Sequence, residues 1–192
     1  MAFEVRPATV FEDVAQILGP SKPDANVCWC LTYRLPSREN RELVGKARGE
    51  RVAGLCALDP PPGVVAYDGD MPVGWAGVAP RADLNSFARK NSKIPHIDEQ
   101  PVWTVWCFRV RGGNRGRGIA HALLAGAVDF ARSYGAPAIE GYPVDNGDAK
   151  VDLTMGYVGT RKLFEQAGFT KVADSDSVID GFPRIVMRLD LR

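Results

Sequence analysis

The amino-acid sequence predicts an α+β fold in which a mixed sheet is flanked by helices. Three features lead to this class: a hairpin in the middle of the chain, a strand–loop–helix–strand unit after it, and two closing strands. Antiparallel strands in front of a strand–helix–strand unit are typical of mixed α and β architectures. With 192 residues, the chain is long enough to bury a hydrophobic core as one domain.

The N-terminal part, residues 1–62, is predicted to be mainly helical. Apolar residues recur at helical spacing in its first half, and Gly19-Pro20 ends that pattern. The apolar and aromatic segment 26–34 has no clear assignment, and an exposed patch around Trp29 in it could support a homodimer. The predicted elements are a strand over 3–7, a helix over 11–18, a helix capped by Ser37 that runs to Ala47, and a short helix over 50–58.

The rest of the chain, residues 63–192, alternates strands and helices more clearly. Asp68-Gly69-Asp70 has strong turn chemistry, and the strand over 102–110 is the most apolar one, so we expect it at the centre of the sheet. A continuous apolar stripe from Ile119 to Phe130 predicts the longest helix. The other predicted elements are strands over 64–67, 72–78, 138–142, 169–172 and 185–189, a helix near 84–90, and a helix that ends at Ala167 with Gly168 after it.

Composition and charge exclude several classes of partner. The net charge of +1 favours neither nucleic acid nor an anionic membrane as a partner. No basic and apolar leader opens the chain, and no window approaches the length of a membrane-spanning helix. The four cysteines are interpreted as reduced, buried thiols, and their spacing does not predict a metal site. We therefore predict a cytoplasmic protein without a bound metal.

A glycine- and arginine-rich loop, Arg115-Gly116-Arg117-Gly118, lies between the central strand and the long helix. The first N–H groups of a helix have no intrahelical partner, and glycines let an anion approach them closely. The arginines add charged donors, so the loop predicts a pyrophosphate site. It is not a P-loop, because no Lys-Ser or Lys-Thr follows the second glycine, and it lacks the GxGxxG spacing of dinucleotide-binding folds.

In these residues the chain resembles the GNAT superfamily of N-acetyltransferases. Its loop pattern, Gln/Arg-x-x-Gly-x-Gly/Ala, is matched from Arg115 to Ala120, and the helix end Phe164-Glu165-Gln166-Ala167-Gly168-Phe169 resembles the second motif of that family. The hairpin strand that holds Val73-Gly74-Trp75-Ala76 resembles its front strands. The resemblance covers residues 63–192. It implies a central, mostly antiparallel, splayed sheet of six to seven strands, and one acyltransferase domain whose residues 1–62 shape the acceptor site.

The resemblance also implies a co-substrate and a reaction. Acetyl-CoA would donate its acetyl group to a primary amine of a small molecule or peptide, by direct attack of the amine on the thioester. The pantetheine arm would pair with the main chain of Phe108 and Val110. The residues expected at the pyrophosphate are Arg115, Gly116, Arg117, Gly118, Ile119 and Ala120.

The catalytic acid and base depart from the commoner family pattern. Phe164 stands where many members carry a tyrosine that protonates the leaving thiolate, so Tyr157 or Tyr142 would have to substitute, unless no protein acid is needed. The central strand also lacks the glutamate that serves some members as base. Glu140 and Asp145 are the nearest carboxylates, and surface or structural roles are the alternative for both.

The sequence leaves two other hypotheses about function open. One is a non-catalytic module that senses acetyl-CoA or another acyl-CoA, which the missing tyrosine and glutamate make conceivable. The other is an interaction domain whose arginine loop binds nucleic-acid phosphates. The near-zero net charge and the lack of alternating aromatic and basic residues argue against that second reading.

Overall fold

The computed structural model describes residues 3–22, 25–152 and 156–192. In that part of the chain, seven strands build one sheet and six α-helices flank it. The strands are β1 (Glu4–Pro7), β2 (Gly63–Asp68), β3 (Met71–Pro80), β4 (Trp103–Val110), β5 (Ala138–Gly141), β6 (Thr170–Ile179) and β7 (Phe182–Asp190). The helices are α1 (Phe11–Leu18), α2 (Ser37–Glu42), α3 (Lys46–Cys56), α4 (Asn85–Ala88), α5 (Ile119–Ser133) and α6 (Arg161–Gln166).

The sheet has the strand order β1-β2-β3-β4-β5-β7-β6, which confirms the predicted mixed fold and the central place of β4. Every neighbouring pair is antiparallel except β4 and β5, which run parallel. Their pairing ends at Val105 and Gly141, although β4 continues to Val110. The sheet therefore opens between its two middle strands.

A β-bulge lies where the two strands separate. On β3, Val78 pairs with Val105 and the preceding Gly77 pairs with Cys107, so Trp106 has no partner residue there. An extra residue bends a strand and turns its side chain. As a result, the side chains of Trp106 and Cys107 both pack in the hydrophobic cluster on one face of the sheet.

The sheet separates two hydrophobic clusters. One contains the buried face of α5 and part of α6, with Leu123, Leu124 and Phe164 fully buried. The other contains residues of α1 and α3 together with the segment around Trp29. None of the helices in the described ranges is long and apolar enough to cross a membrane.

Two predicted helix boundaries were wrong. Ser37 is the first residue of α2 rather than its cap, and α2 ends at Glu42. Gly45 has a φ of +57°, which does not occur within an α-helix, so it interrupts the predicted helix. α3 starts directly after it. Ala47 therefore belongs to α3, which begins four residues before the predicted start at residue 50.

The closing hairpin is longer than predicted. β6 spans ten residues and β7 nine, and they are joined by a turn at Asp180 and Gly181, both with positive φ. β6 is an edge strand whose side chains are mostly exposed. Its sequence is consequently polar beyond Val172, which removes the apolar alternation on which a strand prediction depends.

Candidate functional site

The open edge of β4 beyond Val105 exposes main-chain groups to the gap. Arg111 N–H donates to Val73 O on β3, at 2.9 Å. Because main-chain groups alternate along a strand, the N–H and C=O groups of Phe108 and Val110 point away from β3, toward the gap. These are the two residues that the resemblance stated above implies would pair with a pantetheine arm.

The loop before α5 holds its backbone open at the helix N-terminus. Gly116 and Gly118 have φ values of +75° and +83°, and no heavy atom lies within 4 Å of the place where a Cβ would stand on either. The helical bonds begin when His121 and Ala122 donate to Gly118 O. The N–H groups of Ile119 and Ala120 therefore stay without a helical acceptor, as an anion site requires.

The two arginines of the loop differ in their surroundings. Arg117 donates to Asp68 Oδ2 at 2.7 Å and to Asn114 Oδ1 at 2.8 Å, and its guanidinium lies 5.3 Å from the centre of the Phe3 ring. It ties the loop to the β2–β3 turn. Arg115 is exposed and makes no side-chain hydrogen bond or ion pair within the described residues. Of the two, only Arg115 is therefore free to contact a ligand.

A cavity of about 540 Å³ lies next to the bulge. β4 contributes Trp106, Cys107 and Arg109 to its wall, and Tyr157 contributes from a 3₁₀ helix (Gly156–Val158) that packs on β4. The N-terminal part supplies the other lining residues: Leu18, Gly19, Pro20, Ser21, Val27, Cys28, Trp29, Cys30, Thr32 and Tyr33. The cavity and the gap thus meet at the same bulged stretch of β4.

The segment with no clear assignment in the sequence is a tight turn. Trp29 and Cys30 both have positive φ, at +52° and +55°. Trp29 is only 8% exposed and stacks on Phe11 with ring centres 5.9 Å apart. The predicted exposed patch around Trp29 was therefore wrong, and with it the basis for expecting a homodimer is lost.

Tyr157 is joined to two residues that the sequence did not single out. Its hydroxyl lies 2.6 Å from that of Tyr33, which in turn accepts from Arg184 Nη1 at 3.4 Å. Arg184 is 2% exposed, and within the described residues its Nη2 atom has no hydrogen-bond partner. Burial raises the pKa of Tyr157, and the nearby charge of Arg184 opposes that shift. No local pattern predicts this group, because its members come from three distant segments.

Glu140 and Tyr142, the other predicted catalytic residues, lie in a closed polar cluster. Glu140 is fully buried, 3.2 Å from Arg81 Nη1 and 3.5 Å from Arg188 Nη1. The Tyr142 hydroxyl donates to Glu140 at 3.1 Å and lies 3.2 Å from Thr104 Oγ1. Burial raises the pKa of the Glu140 carboxyl, and the charge of Arg81 opposes this shift.

Neither Glu140 nor Tyr142 lines the cavity beside the bulge. Oε2 of Glu140 accepts from Arg81 and Tyr142, whereas Oε1 has no hydrogen-bond partner among the described residues. Full burial leaves this carboxylate no path to a substrate proton. The geometry therefore favours the structural alternative for both residues. Asp145 is also engaged, 3.2 Å from Arg161 Nη1.

Phe164 packs where the two middle strands separate. Its ring meets Phe108 and Phe169 edge to face, and it covers Gly141 so closely that a Cβ there would lie 2.0 Å from a ring atom. The residue at the family's tyrosine position is thus part of the core, with no exposed surface.

Three of the four cysteines line the cavity. Cys28 is exposed, against the prediction that all are buried, while Cys30 and Cys107 are buried. A hydrogen bond with Cys30, together with burial, raises the pKa of Cys107 well above its ordinary value. Across the described ranges, no group of three or more His, Cys, Asp or Glu side chains is arranged to hold a metal ion.

The sequence and the fold were compared with those of known proteins. The sequence profile of the acetyltransferase (GNAT) family matches residues 28–169. No curated protein matches the sequence. Among solved structures, a GNAT-family protein from Desulfovibrio desulfuricans has a TM-score of 0.57 at 18% identity, with 100% of each chain covered.

Two further structures were solved with a ligand. YncA from Salmonella typhimurium, with acetyl-CoA, has a TM-score of 0.59 at 17% identity, covering 100% of this chain and 95% of its own. PaiA N-acetyltransferase from Thermoplasma acidophilum, with coenzyme A, has a TM-score of 0.53 at 12% identity, covering 99% of each chain. At these identities the likeness is one of fold.

Proposed function

The chain belongs to the acetyltransferase (GNAT) family, and we propose that it is an N-acetyltransferase that uses acetyl-CoA to acetylate a primary amine of a small molecule or peptide. The proposal depends on one observation, the path of the open β4 edge. The open edge of β4 leads from the glycine loop at α5 to the cavity beside Trp106 and Cys107. A donor laid along that edge would present its acyl group to an acceptor in the cavity.

The α5 loop fits the pyrophosphate of acetyl-CoA. The positive φ angles of Gly116 and Gly118 and the open space beside them let main-chain N–H groups approach the phosphates. Free N–H groups at Ile119 and Ala120 and the uncommitted guanidinium of Arg115 complete the donor set. Arg117 serves mainly to fix the loop, because its donors are held by Asp68 and Asn114.

The edge of β4 fits the pantetheine arm. Phe108 and Val110 would form main-chain hydrogen bonds with its amides, as they would with a neighbouring strand. These groups are available because β5 no longer pairs with β4 beyond Val105. Acetyl-CoA supplies an activated acyl carbon. The residues around it position that carbon against the acceptor amine and limit the access of water.

The acceptor site is the 540 Å³ cavity, whose wall comes mostly from residues 18–33. In this proposal the N-terminal part shapes the acceptor site, so that residues 1–192 act as one functional domain. The neutral amine attacks directly, and its surplus proton leaves to solvent, because no carboxylate stands among the lining residues that the structure describes.

In this proposal Tyr157 donates the proton to the leaving sulfur. Many family members use a tyrosine for this step at the position that Phe164 occupies here. The Tyr33 oxygen accepts from Arg184, so the Tyr33 proton can point to Tyr157. The Tyr157 proton is then left for the cavity that it lines. The cation of Arg184 stabilises the negative charge that Tyr157 gains when it gives up this proton.

Replacing Tyr157 with phenylalanine is expected to lower kcat by about 10²-fold, the usual contribution of a positioned acid. The affinity for acetyl-CoA, measured by calorimetric titration, should stay within about twofold, because Tyr157 lies outside the α5 loop. Tyr142→Phe is the matched control, since it removes a buried hydroxyl that does not reach the cavity. A kcat for Tyr157→Phe equal to that of the wild type would remove Tyr157 from the mechanism.

The pH dependence of kcat follows from the raised pKa of Tyr157. An acid must be protonated to act, so activity falls only as pH rises through its pKa. Burial raises that pKa above the ordinary value of 10.0. We therefore expect kcat to rise with pH as the amine loses its proton and then to stay level to about pH 10. A steady-state series from pH 6 to 10 measures this, and a falling limb below pH 9 would contradict it.

The proposed function is tested by titrating the protein with acetyl-CoA and then measuring thiol release across a panel of amines. Binding together with turnover on one class of amines supports the enzyme. Binding without turnover on any of them would favour the acyl-CoA sensor, for which Phe164 is the supporting observation. Absence of acetyl-CoA binding by folded protein would overturn both, and salt-dependent oligonucleotide binding would then indicate a phosphate-binding module.

A further inference from the structure

The cavity beside the bulge has an unusual charge balance for a site that takes an amine. Among the described residues that line it, none is a carboxylate, and Arg109 is the one charged side chain. Amines are cations at neutral pH, and a buried cation needs a carboxylate or an open aromatic face. The wall therefore offers little to an acceptor that carries only positive charge.

Two more arginines stand behind the aromatic wall. The guanidinium of Arg34 lies 5.4 Å from the centre of the Trp106 ring, and that of Arg184 lies 5.6 Å from the centre of the Tyr33 ring. In an aromatic cage, such ring faces would bind the cation of a ligand. Here the two arginines of the protein already occupy them. Trp29 is likewise engaged, because it stacks on Phe11.

None of these three arginines forms an ion pair within the described ranges. The charges of Arg109 and Arg184 act on groups in the cavity. Arg109 lowers the pKa of Cys107, against the larger effects of Cys30 and burial, and Arg184 does the same for Tyr157. Asp83 is the acidic group that acts on Arg34, whose pKa burial lowers. The cavity is therefore apolar and aromatic in its walls and positive in its field.

We propose that the acceptor is an amine that carries a carboxylate on an apolar or aromatic body, as a free hydrophobic α-amino acid does. This inference rests on the proposed function and names its substrate class. The body would pack against Trp106 and Tyr33, and the carboxylate would pair with Arg109, whose side chain is exposed at the wall. Polyamines and lysine-rich peptides are excluded as good substrates.

The same field assists the reaction. Nearby positive charge disfavours the ammonium form of a bound amine and so lowers its pKa. The neutral amine nitrogen then bonds to the acetyl carbon as the carbon–sulfur bond breaks. The amine proton passes to solvent, the sulfur receives the proton of Tyr157, and Tyr157 regains a proton from solvent. A lining that has no carboxylate base among its described residues is consistent with an amine that reaches the cavity already neutral.

The test compares acceptors that share one body and differ in charge. The panel is phenylalanine, phenylalanine amide, phenethylamine, spermidine and a lysine-rich peptide, each with saturating acetyl-CoA. We expect kcat/KM for phenylalanine to exceed that for phenethylamine by at least about tenfold, because one bonded charge pair is lost with the carboxylate. Spermidine and the peptide should be the poorest acceptors.

Arg109→Gln identifies the group that recognises the carboxylate. It should reduce the ratio of kcat/KM for phenylalanine over phenethylamine by about tenfold. Arg132→Gln, at the exposed end of α5 and paired with Asp129, changes the net charge equally and should keep the ratio. Arg109→Lys should retain part of it, because a single ammonium cannot pair in a bidentate manner.

Each failure has a distinct meaning. Faster turnover of spermidine or the peptide than of phenylalanine would overturn the substrate class while leaving the acetyltransferase intact. An unchanged ratio in Arg109→Gln would overturn the role of Arg109. Binding of acetyl-CoA without turnover of any panel member, or no binding at all, would overturn the proposed function on which the inference rests.

Discussion

Gly118→Glu is expected to weaken acetyl-CoA binding well over tenfold, on the order of 1.4 kcal/mol or more. Gly118 is the N-cap of α5, its φ is +83°, and the space beside it is open. A glutamate would place a carboxylate where the pyrophosphate should lie, so that the two anions repel. Calorimetric titration of both proteins with acetyl-CoA gives the change in Kd directly.

Gly118→Ala is the matched control for this experiment. A non-glycine residue in the left-handed region costs roughly 1–2 kcal/mol of strain, and both variants carry that cost. The difference between them therefore reports the charged side chain and not the backbone strain. Arg115→Ala should give an intermediate loss, because it removes one charged donor without adding an anion. Equal Kd values for Gly118→Glu and the wild type would show that the ligand lies elsewhere.

Glu140→Gln is expected to lower the free energy of unfolding by about 3 kcal/mol or more. The substitution leaves Arg81, whose side chain is 9% exposed, beside a neutral amide, whereas Arg188 keeps its pairs with Asp98 and Asp190. An uncompensated buried charge is costly because desolvation is no longer offset by the pair. Urea unfolding of the two proteins, read as a shift in midpoint at constant slope, measures the loss.

Glu165→Gln is the control for that loss. Glu165 also pairs with an arginine, Arg161, but nearly half of each side chain is exposed, so the pair contributes about 0.3–0.5 kcal/mol. If Glu140 is structural, the folded variant should keep the pH dependence of kcat that the wild type shows. A stable Glu140→Gln protein that has lost activity would instead support the role as base that the sequence first suggested.

The local features of the fold were available from the sequence. Periodicity and turn chemistry are properties of residues that are neighbours in the chain. They predict the apolar stripe along α5, the turn between β2 and β3, and the apolar strand β4. The α5 loop belongs to the same class, because its glycines and the helix after it are adjacent in the chain. The fold class and the place of the proposed cofactor site could therefore be predicted, whereas the polar edge strand β6 could be predicted only in part.

The acceptor side was decided by the tertiary structure alone. The pairing of Tyr33 with Tyr157 joins residues 124 positions apart, and Arg184 reaches them from β7. The same holds for Glu140, whose burial between two arginines favours a structural role over that of a base. Burial and charge environment are sums over groups brought together by folding, so a single segment does not contain them. The sequence by itself determined the chain's family likeness and its candidate anion-binding loop, and only the packed sheet decided which side chains meet in the cavity.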